Sequence, residues 1–505
     1  MTDYPYLEKI ITARVYDIAI ETPLDHAPML SKRTNNTIYI KREDLQPVFS
    51  FKLRGAHNKI SQLSDSEKAA GVIAASAGNH AQGVALSSQR LGIRSIIVMP
   101  KTTPQIKVSA VKHHGGEVVL HGNTYDEAYL HAKEIAAKNN MVFIHPYDDP
   151  EVIAGQGTVA MEILKQHPDH IDAIFVPVGG GGLLAGVIAY VKQLRPQTKV
   201  IGVEPDDAAC LYEALNAKER VVLDTVGIFA DGVAVRQIGE EPFRVIKDLV
   251  DEVILASTDE ICAGIKDIFD DTRAISEPAG ALATAGMKKY IAKHNLTGKT
   301  FVAIDSGANM NFDRLRHVSE RTELGENREA LLAVTIPEEP GSFRKFCHAI
   351  GQHNITEFNY RYSHDVEAHV FAGIRMNDSQ REKGKLIERL NSTNYKVLDL
   401  SDNDMAKTHI RYMVGGHANG AKDEVLFRFI FPERPGALLR FLTHISHRWN
   451  ISLFHYRNHG AAYGRILTGI QVPVSERGEF NQFLLELEYP FWEETNNPAY
   501  TLFLR

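Results

Sequence analysis

One lysine of the chain has neighbours that suit covalent catalysis. Lys52 lies in the segment Ser50-Phe-Lys-Leu-Arg-Gly-Ala56, where a predicted loop turns into a predicted helix. A lysine forms a Schiff base only when its amine has lost its proton, and burial or a nearby cation lowers the pKa of that amine. Phe51 and Leu53 would bury the side chain, and Arg54 would supply the cation. By itself, such a lysine is more often a solvated residue of a helix surface.

A second segment offers a site for a small anion. Ser76-Ala-Gly-Asn-His-Ala-Gln-Gly83 follows a predicted strand and opens a predicted helix. The N–H groups of such a turn lie at the positive end of the helix and suit a carboxylate, and the Asn79 amide can both donate and accept hydrogen bonds. An ordinary helix N-cap explains the same residues equally well. The candidate residues are Ser76, Ala77, Gly78, Asn79 and His80.

A run of four glycines offers a site for a phosphate. It lies between a predicted strand that ends at Val178 and a predicted helix that begins near Leu183. This backbone has no side chains to block a tetrahedral anion, and the dipole of the following helix attracts negative charge. The candidate residues are Val178, Gly179, Gly180, Gly181 and Gly182.

The same glycines permit a dinucleotide-binding interpretation. Gly180 to Ala185 fits the pattern G-x-G-x-x-A, and Glu204 ends a predicted strand about twenty residues later, as that fingerprint requires. The fingerprint normally opens its domain, whereas several strand–helix units precede these glycines. The phosphate interpretation is therefore favoured, and a nicotinamide-dependent dehydrogenase is the enzymatic alternative.

Other motifs carry less information. A predicted strand ends in Ser306-Gly-Ala-Asn309, and the segments from Ala230 to Val235 and from Ser276 to Gly280 are loops that indicate nothing singly. The 22 histidines show no H-E-x-x-H or other metal-binding spacing, and no G-x-S-x-G motif occurs. The sequence therefore gives no support for a metal site or for acyl transfer.

Length and composition indicate an ordinary globular protein of about three domains at ~150 residues each. The chain has 505 residues, of which 44% are hydrophobic and 24% charged, and its formal net charge of −7 gives no reason to expect nucleic acid or an anionic membrane as partner. Three scattered cysteines indicate a reducing compartment. No apolar run reaches the ~18 residues that span a bilayer. We expect a soluble cytoplasmic protein.

The elements that position these motifs fall into two patterns. From Asn36 to Ser306, apolar segments of strand length alternate with segments of helical period. Apolar strands joined by helices predict a mostly parallel sheet covered on both faces, with binding sites beyond the carboxyl ends of the strands. The predicted strands include 71–75, 95–99, 117–120, 173–177 and 200–203, and the predicted helices include 80–91, 126–139 and 183–193.

The chain repeats itself after Asn309. The segment from Leu331 to Gly341 aligns with that from Leu426 to Gly436, and Gly373 aligns with Gly469. Each unit reads strand, helix, strand, strand, helix, strand, which is the pattern of a ferredoxin-like module. A duplicated oligomerisation module is the structural alternative to a regulatory one. The predicted domains are residues 1–320, 330–405 and 424–505.

Together and in this order, the motifs resemble those of the fold-type II pyridoxal-phosphate enzymes, and most closely the biosynthetic threonine ammonia-lyases (threonine dehydratases). The resemblance rests on S-F-K-x-R-G-A, S-A-G-N-H-A-Q-G, the four glycines, S-G-A-N and the tandem repeat, so it covers nearly the whole chain. It implies an α/β catalytic region with parallel sheets, followed by tandem ferredoxin-like βαββαβ regulatory domains similar to ACT domains. It also implies pyridoxal 5′-phosphate as the cofactor.

The resemblance assigns a role to each candidate residue. Lys52 would hold the cofactor as an imine, and Asn79 would hydrogen-bond the pyridine 3′-oxygen. The backbone from Val178 to Gly182 would bind the cofactor phosphate, and Ser306 would bind the pyridine nitrogen. The turn from Ser76 to His80 would bind the substrate carboxylate.

The resemblance further implies deamination of L-threonine, and less efficiently of L-serine, to a 2-oxo acid and ammonia, as the first step of isoleucine biosynthesis. Isoleucine would inhibit the enzyme and valine would oppose it, in a homotetramer. The effector would bind beside the turns at Pro340-Gly341 and Pro435-Gly436, near the strands Glu357 to Tyr362 or Leu453 to Arg457.

Two residues depart from the related serine racemases. Ala77 stands where those enzymes have a second serine that acts as a base, so we expect weak racemisation. Cys210, which follows Glu204-Pro205, stands where an aspartate ligand of a divalent cation is expected, and a thiol is a poor ligand for a hard cation. We therefore expect no obligatory metal there.

A non-enzymatic interpretation is also possible, in which the chain is an amino-acid sensor that carries a retired catalytic domain. The intact Lys52, Asn79 and Ser306 argue against it.

Overall fold

The chain forms two compact units, Met1–Thr322 and Glu323–Arg505. The computed structural model describes residues 6–227, 229–312, 314–325, 329–351, 353–362, 366–376, 379–403, 406, 410–413, 415–418, 420–432, 439, 442–443, 448–457, 463–487, 489–498, 500 and 504. In these residues no helix has both the length and the apolar character needed to cross a membrane.

Within its described residues, the first unit has ten strands and the helices between them. The strands are β1 (Leu24–His26), β2 (Thr37–Arg42), β3 (Val72–Ala75), β4 (Ser95–Met99), β5 (Glu117–Leu120), β6 (Val142–Phe143), β7 (Ala173–Pro177), β8 (Lys199–Pro205), β9 (Glu252–Ala256) and β10 (Thr300–Asp305). The helices are α1 (Tyr6–Ile11), α2 (Pro28–Thr34), α3 (Lys52–Ser61), α4 (Asp65–Ala70), α5 (Asn79–Leu91), α6 (Gln105–His113), α7 (Tyr125–Asn139), α8 (Pro150–Gln166), α9 (Gly182–Leu194), α10 (Cys210–Ala217), α11 (Glu240–Ile246), α12 (Thr258–Thr272), α13 (Pro278–His294) and α14 (Arg314–Gly325), which runs past the end of the unit.

These strands form two mainly parallel sheets. One has six strands in the order β1-β2-β10-β7-β8-β9, in which β1 alone is antiparallel to its neighbour, and the other has four parallel strands in the order β5-β4-β3-β6. Every residue of β3, β4 and β7 is buried, because helices cover both faces of a parallel sheet. The expected α/β architecture is confirmed. The predicted site segments follow the carboxyl ends of β3, β7 and β10.

Close packing of α3 explains two glycines of the sequence motifs. A Cβ atom on Gly55 would lie 2.4 Å from Gln156 Nε2 in α8, and one on Gly83 in α5 would lie 3.2 Å from the carbonyl oxygen of Lys52. Only a residue without a side chain lets these helix backbones approach so closely. Thus α3, which begins with Lys52, is held between α5 and α8.

The second unit is one antiparallel sheet with helices. Its first repeat contains β11 (Glu329–Pro337), α15 (Ser342–Ile350), β12 (Ile355–Arg361), β13 (Glu367–Arg375), α16 (Ser379–Ser392) and β14 (Lys396–Asp399). Its second contains β15 (Glu424–Pro432), β16 (Asn450–Arg457), β17 (Tyr463–Gln471), α17 (Arg477–Glu486) and β18 (Phe491–Glu493). The strand order is β14-β11-β13-β12-β16-β17-β15-β18, so the two repeats join through the pairing of β12 with β16. The predicted turn at Pro435-Gly436 lies outside the described residues.

The glycine common to both repeats leaves room for a buried glutamate. A Cβ atom on Gly373 would lie 3.1 Å from Glu329 Oε1, and one on Gly469 would lie 2.6 Å from Glu424 Oε1. In each repeat the first strand therefore brings a carboxylate against the glycine of a neighbouring strand. The sequence repeat thus corresponds to a repeated feature of the core.

Candidate active site

Backbone hydrogen bonds connect the segment that precedes Lys52 to the end of β10. The Phe51 N–H donates to the carbonyl of Ser306 at 3.3 Å, and the Ala308 N–H donates to the carbonyl of Phe49 at 2.9 Å. Strand β10, the last strand of the first unit, therefore lies against the residues that lead into α3. These bonds bring Lys52 and Ser306 to one place although they are far apart in the sequence.

The Lys52 amine has the environment that a Schiff-base lysine needs. Its Nζ donates to the carbonyl of Pro146 at 3.0 Å and lies 5.3 Å from the centre of the Phe51 ring. Burial lowers the pKa of this amine to about 8, although the nearby carboxylate of Glu277 acts in the opposite direction. Roughly a tenth of the amine is therefore unprotonated at pH 7, far more than for an ordinary lysine, and the unprotonated amine is the form that a nucleophilic lysine needs.

The expectation that Arg54 supplies a cation to Lys52 is wrong. The Arg54 guanidinium is fully buried and donates to Glu43 Oε1 at 2.7 Å and to Glu162 Oε2 at 2.9 Å. Both carboxylates are themselves buried, so they balance the positive charge locally. Burial of Lys52, rather than repulsion from Arg54, is the main cause of its lowered pKa.

The residues from Ser76 to Gly78 form the turn between β3 and α5, and Asn79 and His80 are the first two residues of α5. The Gly78 N–H donates to Ser76 Oγ at 3.3 Å, and α5 begins at Asn79, so the N–H groups of its first turn have no partner within the helix. The His80 ring is buried and donates through Nε2 to the carbonyl of Ile144 at 2.9 Å. Burial, with a contribution from the Lys52 charge, lowers the pKa of His80 to about 3. His80 is therefore neutral, and only its backbone N–H faces the turn.

The Asn79 side chain is hydrogen-bonded at both ends. Its Nδ2 donates to Glu277 Oε1, and its Oδ1 accepts from Asn309 Nδ2 at 2.7 Å. Glu277 immediately precedes α13 and is buried, and burial raises the pKa of its carboxyl to about 7 despite the bond from Asn79. Sequence reasoning missed Glu277 and Asn309. The segment Ser276-Glu-Pro-Ala-Gly280 was noted in the sequence, but the sequence does not show that its carboxylate lies beside Asn79.

The glycine run begins directly after β7 and is packed so tightly that side chains are excluded. A Cβ atom would lie 2.9 Å from Val233 Cα if placed on Gly179, and 2.3 Å from the Tyr147 ring if placed on Gly180. Gly181 has φ +89°, which also favours glycine. The glycines are therefore required by the walls of the loop as well as by any anion that it holds.

The polar groups of this loop are arranged to bind an anion. The carbonyl of Gly179 accepts from Cys210 Sγ at 3.4 Å, and that of Gly180 accepts from the Gly239 N–H at 3.1 Å. In the described part of the chain, the N–H groups of Gly179 to Gly182 donate to no other backbone group or side chain. Together with the N-terminus of α9, these donors fit a phosphate.

Ser306 presents a neutral hydroxyl at the end of β10. It is buried, and its Oγ donates to the carbonyl of Ala279 at 3.3 Å. The adjacent Asp305 accepts hydrogen bonds from Ser276 Oγ at 2.5 Å and the Gly307 N–H at 3.4 Å, and burial raises the pKa of its carboxyl. The Asp305 carboxyl is thus engaged by groups of the protein, while the backbone carbonyl of Ser306 accepts from Phe51 in the Lys52 segment.

Glu204 does not have the position that the dinucleotide alternative needs. It is fully buried, and its two oxygens each accept a hydrogen bond of 2.8 Å from the backbone of Leu211 and Tyr212, at the start of α10. Burial raises the pKa of this carboxyl to about 7. A carboxylate that caps a helix in the interior cannot bind a ribose hydroxyl.

In the residues that the structure describes, no cluster of three or more metal-ligating side chains is present.

Comparison with known proteins identifies the family of both units. Residues 15–307 match the model of pyridoxal-phosphate dependent enzymes, and residues 320–410 and 415–504 each match the C-terminal regulatory domain of threonine dehydratase. Biosynthetic L-threonine dehydratase from Burkholderia multivorans is 55% identical over 507 residues, covering 100% of both chains. The chain belongs to the biosynthetic threonine dehydratases. The members of this family are pyridoxal-phosphate-dependent ammonia-lyases, and the suspected resemblance is confirmed.

Other threonine dehydratases and solved structures agree. The Escherichia coli biosynthetic enzyme is 54% identical and covers 99% of this chain and 97% of its own. The processed form of threonine deaminase isoform 2 from Solanum lycopersicum has 52% identity and a TM-score of 0.62, over 63% of this chain and 88% of its own. A serine racemase from Dictyostelium discoideum has 32% identity and a TM-score of 0.57, over 61% and 99% of the two chains. These matches confirm the fold-type II catalytic region.

Proposed function

We propose that this chain deaminates L-threonine to 2-oxobutanoate and ammonia, with Lys52 as the residue that anchors the cofactor. The observation that carries the proposal is the half-buried Lys52 amine at the start of α3, which donates to the carbonyl of Pro146 and whose pKa is lowered to about 8. Asn79 would then bind the 3′-oxygen, Ser306 the pyridine nitrogen and the N–H groups of Gly179 to Gly182 the phosphate.

The reaction needs a base for the Cα proton of the substrate. When bound, pyridoxal phosphate supplies an electron sink for the charge that proton removal creates. Lys52 Nζ is the group that would take this proton, because its lowered pKa keeps part of the amine unprotonated near neutral pH. The Ser306 hydroxyl is neutral and would stabilise that charge less than a carboxylic acid would, which suits an elimination in which the hydroxyl leaves as the charge develops. The N–H groups at the start of α5 would hold the substrate carboxylate.

The role of Lys52 is tested by replacing it with alanine. Lys52→Ala should abolish formation of 2-oxobutanoate without changing the far-ultraviolet circular dichroism of the chain. Lys59→Ala is the matched control, because Lys59 is in the same helix about two turns after Lys52 and pairs with Asp149 at 2.9 Å. Substantial deamination by Lys52→Ala would contradict the proposal.

The visible spectrum of the pure protein separates this proposal from the dehydrogenase alternative. A cofactor band that disappears with hydroxylamine supports the lyase. Protein fluorescence quenched by reduced nicotinamide cofactor, in the absence of such a band, would favour the dehydrogenase.

We propose further that isoleucine inhibits the enzyme through the second unit and that valine opposes it. The family of the two repeats supports a regulatory role. In the first repeat the predicted turn at Pro340-Gly341 precedes α15, with Gly341 at φ +91°, and the buried Tyr360 of β12 donates to Glu338 beside this turn. Coupling between effector and catalysis is typically worth ~1–3 kcal/mol.

Deleting everything after Asn327 tests the regulatory proposal. The truncated chain should retain some deamination and lose its response to isoleucine, because the boundary between the compact units lies only a few residues earlier. Inhibition that persists in the truncated chain would contradict it.

We also propose a cytoplasmic homotetramer that uses L-serine less efficiently than L-threonine. Its racemisation of either substrate should be weak, since the Ala77 side chain cannot transfer a proton. Light scattering of the purified chain checks the assembly. Assays of both substrates, with chiral analysis of the unreacted amino acid, check the specificity.

A further inference from the structure

The orientation of the Asn79 amide is set by its two protein partners. An asparagine amide can occupy two orientations that differ by half a turn and exchange oxygen for nitrogen. Here the oxygen faces the Asn309 Nδ2 donor and the nitrogen faces the Glu277 carboxylate acceptor. The reverse orientation would place two N–H donors together at Asn309, and it would turn the Asn79 oxygen toward the ionised carboxylate of Glu277. Only one orientation therefore satisfies both partners.

The two partners are themselves fixed. Asn309 Nδ2 also donates to the carbonyl of Val48 at 2.7 Å, and a backbone carbonyl can only accept, so the nitrogen of Asn309 must lie on this side. The backbone N–H of Glu277 donates to the carbonyl of Gly307 at 3.0 Å. A Cβ atom on Gly307 would lie 2.8 Å from Glu277 Oε1, so the absence of a side chain there leaves room for the carboxylate. The two hydrogen-bond partners of Asn79 are thus held in place by backbone groups of the segments around Val48, Glu277 and Gly307.

Asn79 Nδ2 has two hydrogens, and Glu277 accepts only one of them. We propose that Glu277 and Asn309 are positioning residues that hold the Asn79 amide so that its second N–H is directed at the 3′-oxygen of the bound cofactor. This inference rests on the proposed role of Asn79. It gives a function to a buried carboxylate that makes no ion pair in the described part of the chain.

The test uses the full-length, cofactor-loaded protein and a double-mutant cycle. Glu277→Met keeps the size of the side chain and removes the acceptor, whereas Glu277→Gln keeps an amide oxygen that can still accept from Asn79. Asn79→Ala removes the donor itself. The readouts are the position of the visible absorption band, which responds to hydrogen bonding at the 3′-oxygen, and kcat measured separately from KM for threonine.

We expect Asn79→Ala and Glu277→Met to shift the band in the same direction and to lower kcat about fivefold, the factor that one hydrogen bond of ~1 kcal/mol corresponds to. Glu277→Gln should remain close to the parent protein. In the double variant the two effects should not add, because Glu277 acts through Asn79. Asn309→Ala should behave like Glu277→Met and serves as the second variant if Glu277→Met does not fold.

The outcomes distinguish this inference from the proposed function. If Asn79→Ala leaves the band unchanged, the proposed role of Asn79 itself is wrong. If Asn79→Ala shifts the band but Glu277→Met and Asn309→Ala do not, or if the effects of Glu277→Met and Asn79→Ala add, then Glu277 and Asn309 do not position Asn79.

Discussion

Removing the Arg54 guanidinium should destabilise the catalytic unit severely. Its nitrogen atoms donate to both oxygens of Glu43 and both oxygens of Glu162, and also to Thr158 Oγ1 and the carbonyl of Ile20. Lys41 is the other cation of this network and pairs with Glu162 at 2.6 Å. The four charged side chains are buried and electrically balanced.

The size of the effect follows from this balance. Arg54→Met leaves two buried carboxylates with one cation, and Lys41 donates to Glu162 while Glu43 keeps hydrogen bonds from the neutral Thr22 and Gln46. Removing one member of a buried ion pair costs ~3–5 kcal/mol, mainly because the remaining charge is unpaired. At a urea m-value of ~3 kcal/mol per molar, the midpoint of unfolding of the first unit should fall by roughly 1–2 M.

The two units can be followed separately in one urea titration. Both tryptophans, Trp449 and Trp492, belong to the second unit, so tryptophan fluorescence follows that unit alone. The absorbance of the bound cofactor follows the first unit. Arg54→Met should lower the midpoint of the cofactor signal and leave that of the fluorescence signal near the parent value.

Two further variants make this prediction refutable. Arg94 is the matched control, because it binds Glu117 through two nitrogens at 2.7 and 2.8 Å on the exposed surface, where water screens the pair. Arg94→Met should leave both midpoints nearly unchanged. Combining Arg54→Met with Glu43→Met removes one charge of each sign and should recover most of the loss. The reasoning fails if Arg54→Met and Arg94→Met lower the first-unit midpoint equally.

Three other perturbations have expected outcomes. In the cofactor-free protein, the rate of pyridoxal phosphate attachment to Lys52 should rise about tenfold per pH unit up to about pH 8 and then level off, since the amine must be unprotonated. Borohydride trapping followed by peptide mass spectrometry measures this rate. A rate that continues to rise toward pH 10 would contradict the lowered pKa. Gly180→Ala should weaken cofactor binding, because its Cβ would lie 2.3 Å from the Tyr147 ring. Gly384→Ala is the control and should bind the cofactor normally, because its Cβ would have no neighbouring atom within 4 Å. Equal cofactor affinity of the two variants in equilibrium dialysis would refute this prediction. Gly373→Ala should impair isoleucine inhibition while deamination continues, because its Cβ would collide with a buried side chain of the first repeat; an unchanged inhibition curve would show that this packing is not needed.

Local sequence was sufficient to predict most of the catalytic fold. The predicted strand 173–177 coincides with β7, and the predicted helix 183–193 lies within α9, because apolar periodicity and glycine punctuation act over a few residues. The repeat in the second half likewise predicted a duplicated module, and both repeats match the regulatory-domain model. The alternation of strands and helices by itself predicted one mostly parallel sheet, and more than one sheet was implied only by the resemblance, because strand pairing between distant segments leaves no local signal.

The candidate site shows the same division. The order of the motifs identified the family, and it assigned roles to Lys52, Asn79 and Ser306 that remain predictions. The prediction that Arg54 acts on Lys52 was wrong, because residues two positions apart point to different sides of a helix. Glu277 was not singled out, since a glutamate before a proline looks like an ordinary helix start.

The sequence by itself determined which residue types are available and in what order, and therefore the family and the kind of chemistry. Only the tertiary structure decided which of those residues meet. Groups from separate strands and helices desolvate the Lys52 amine and form the two hydrogen bonds of the Asn79 amide. They also balance the charge of Arg54. The physical reason is that desolvation and hydrogen bonding depend on distances in space, which a linear order of residues does not specify.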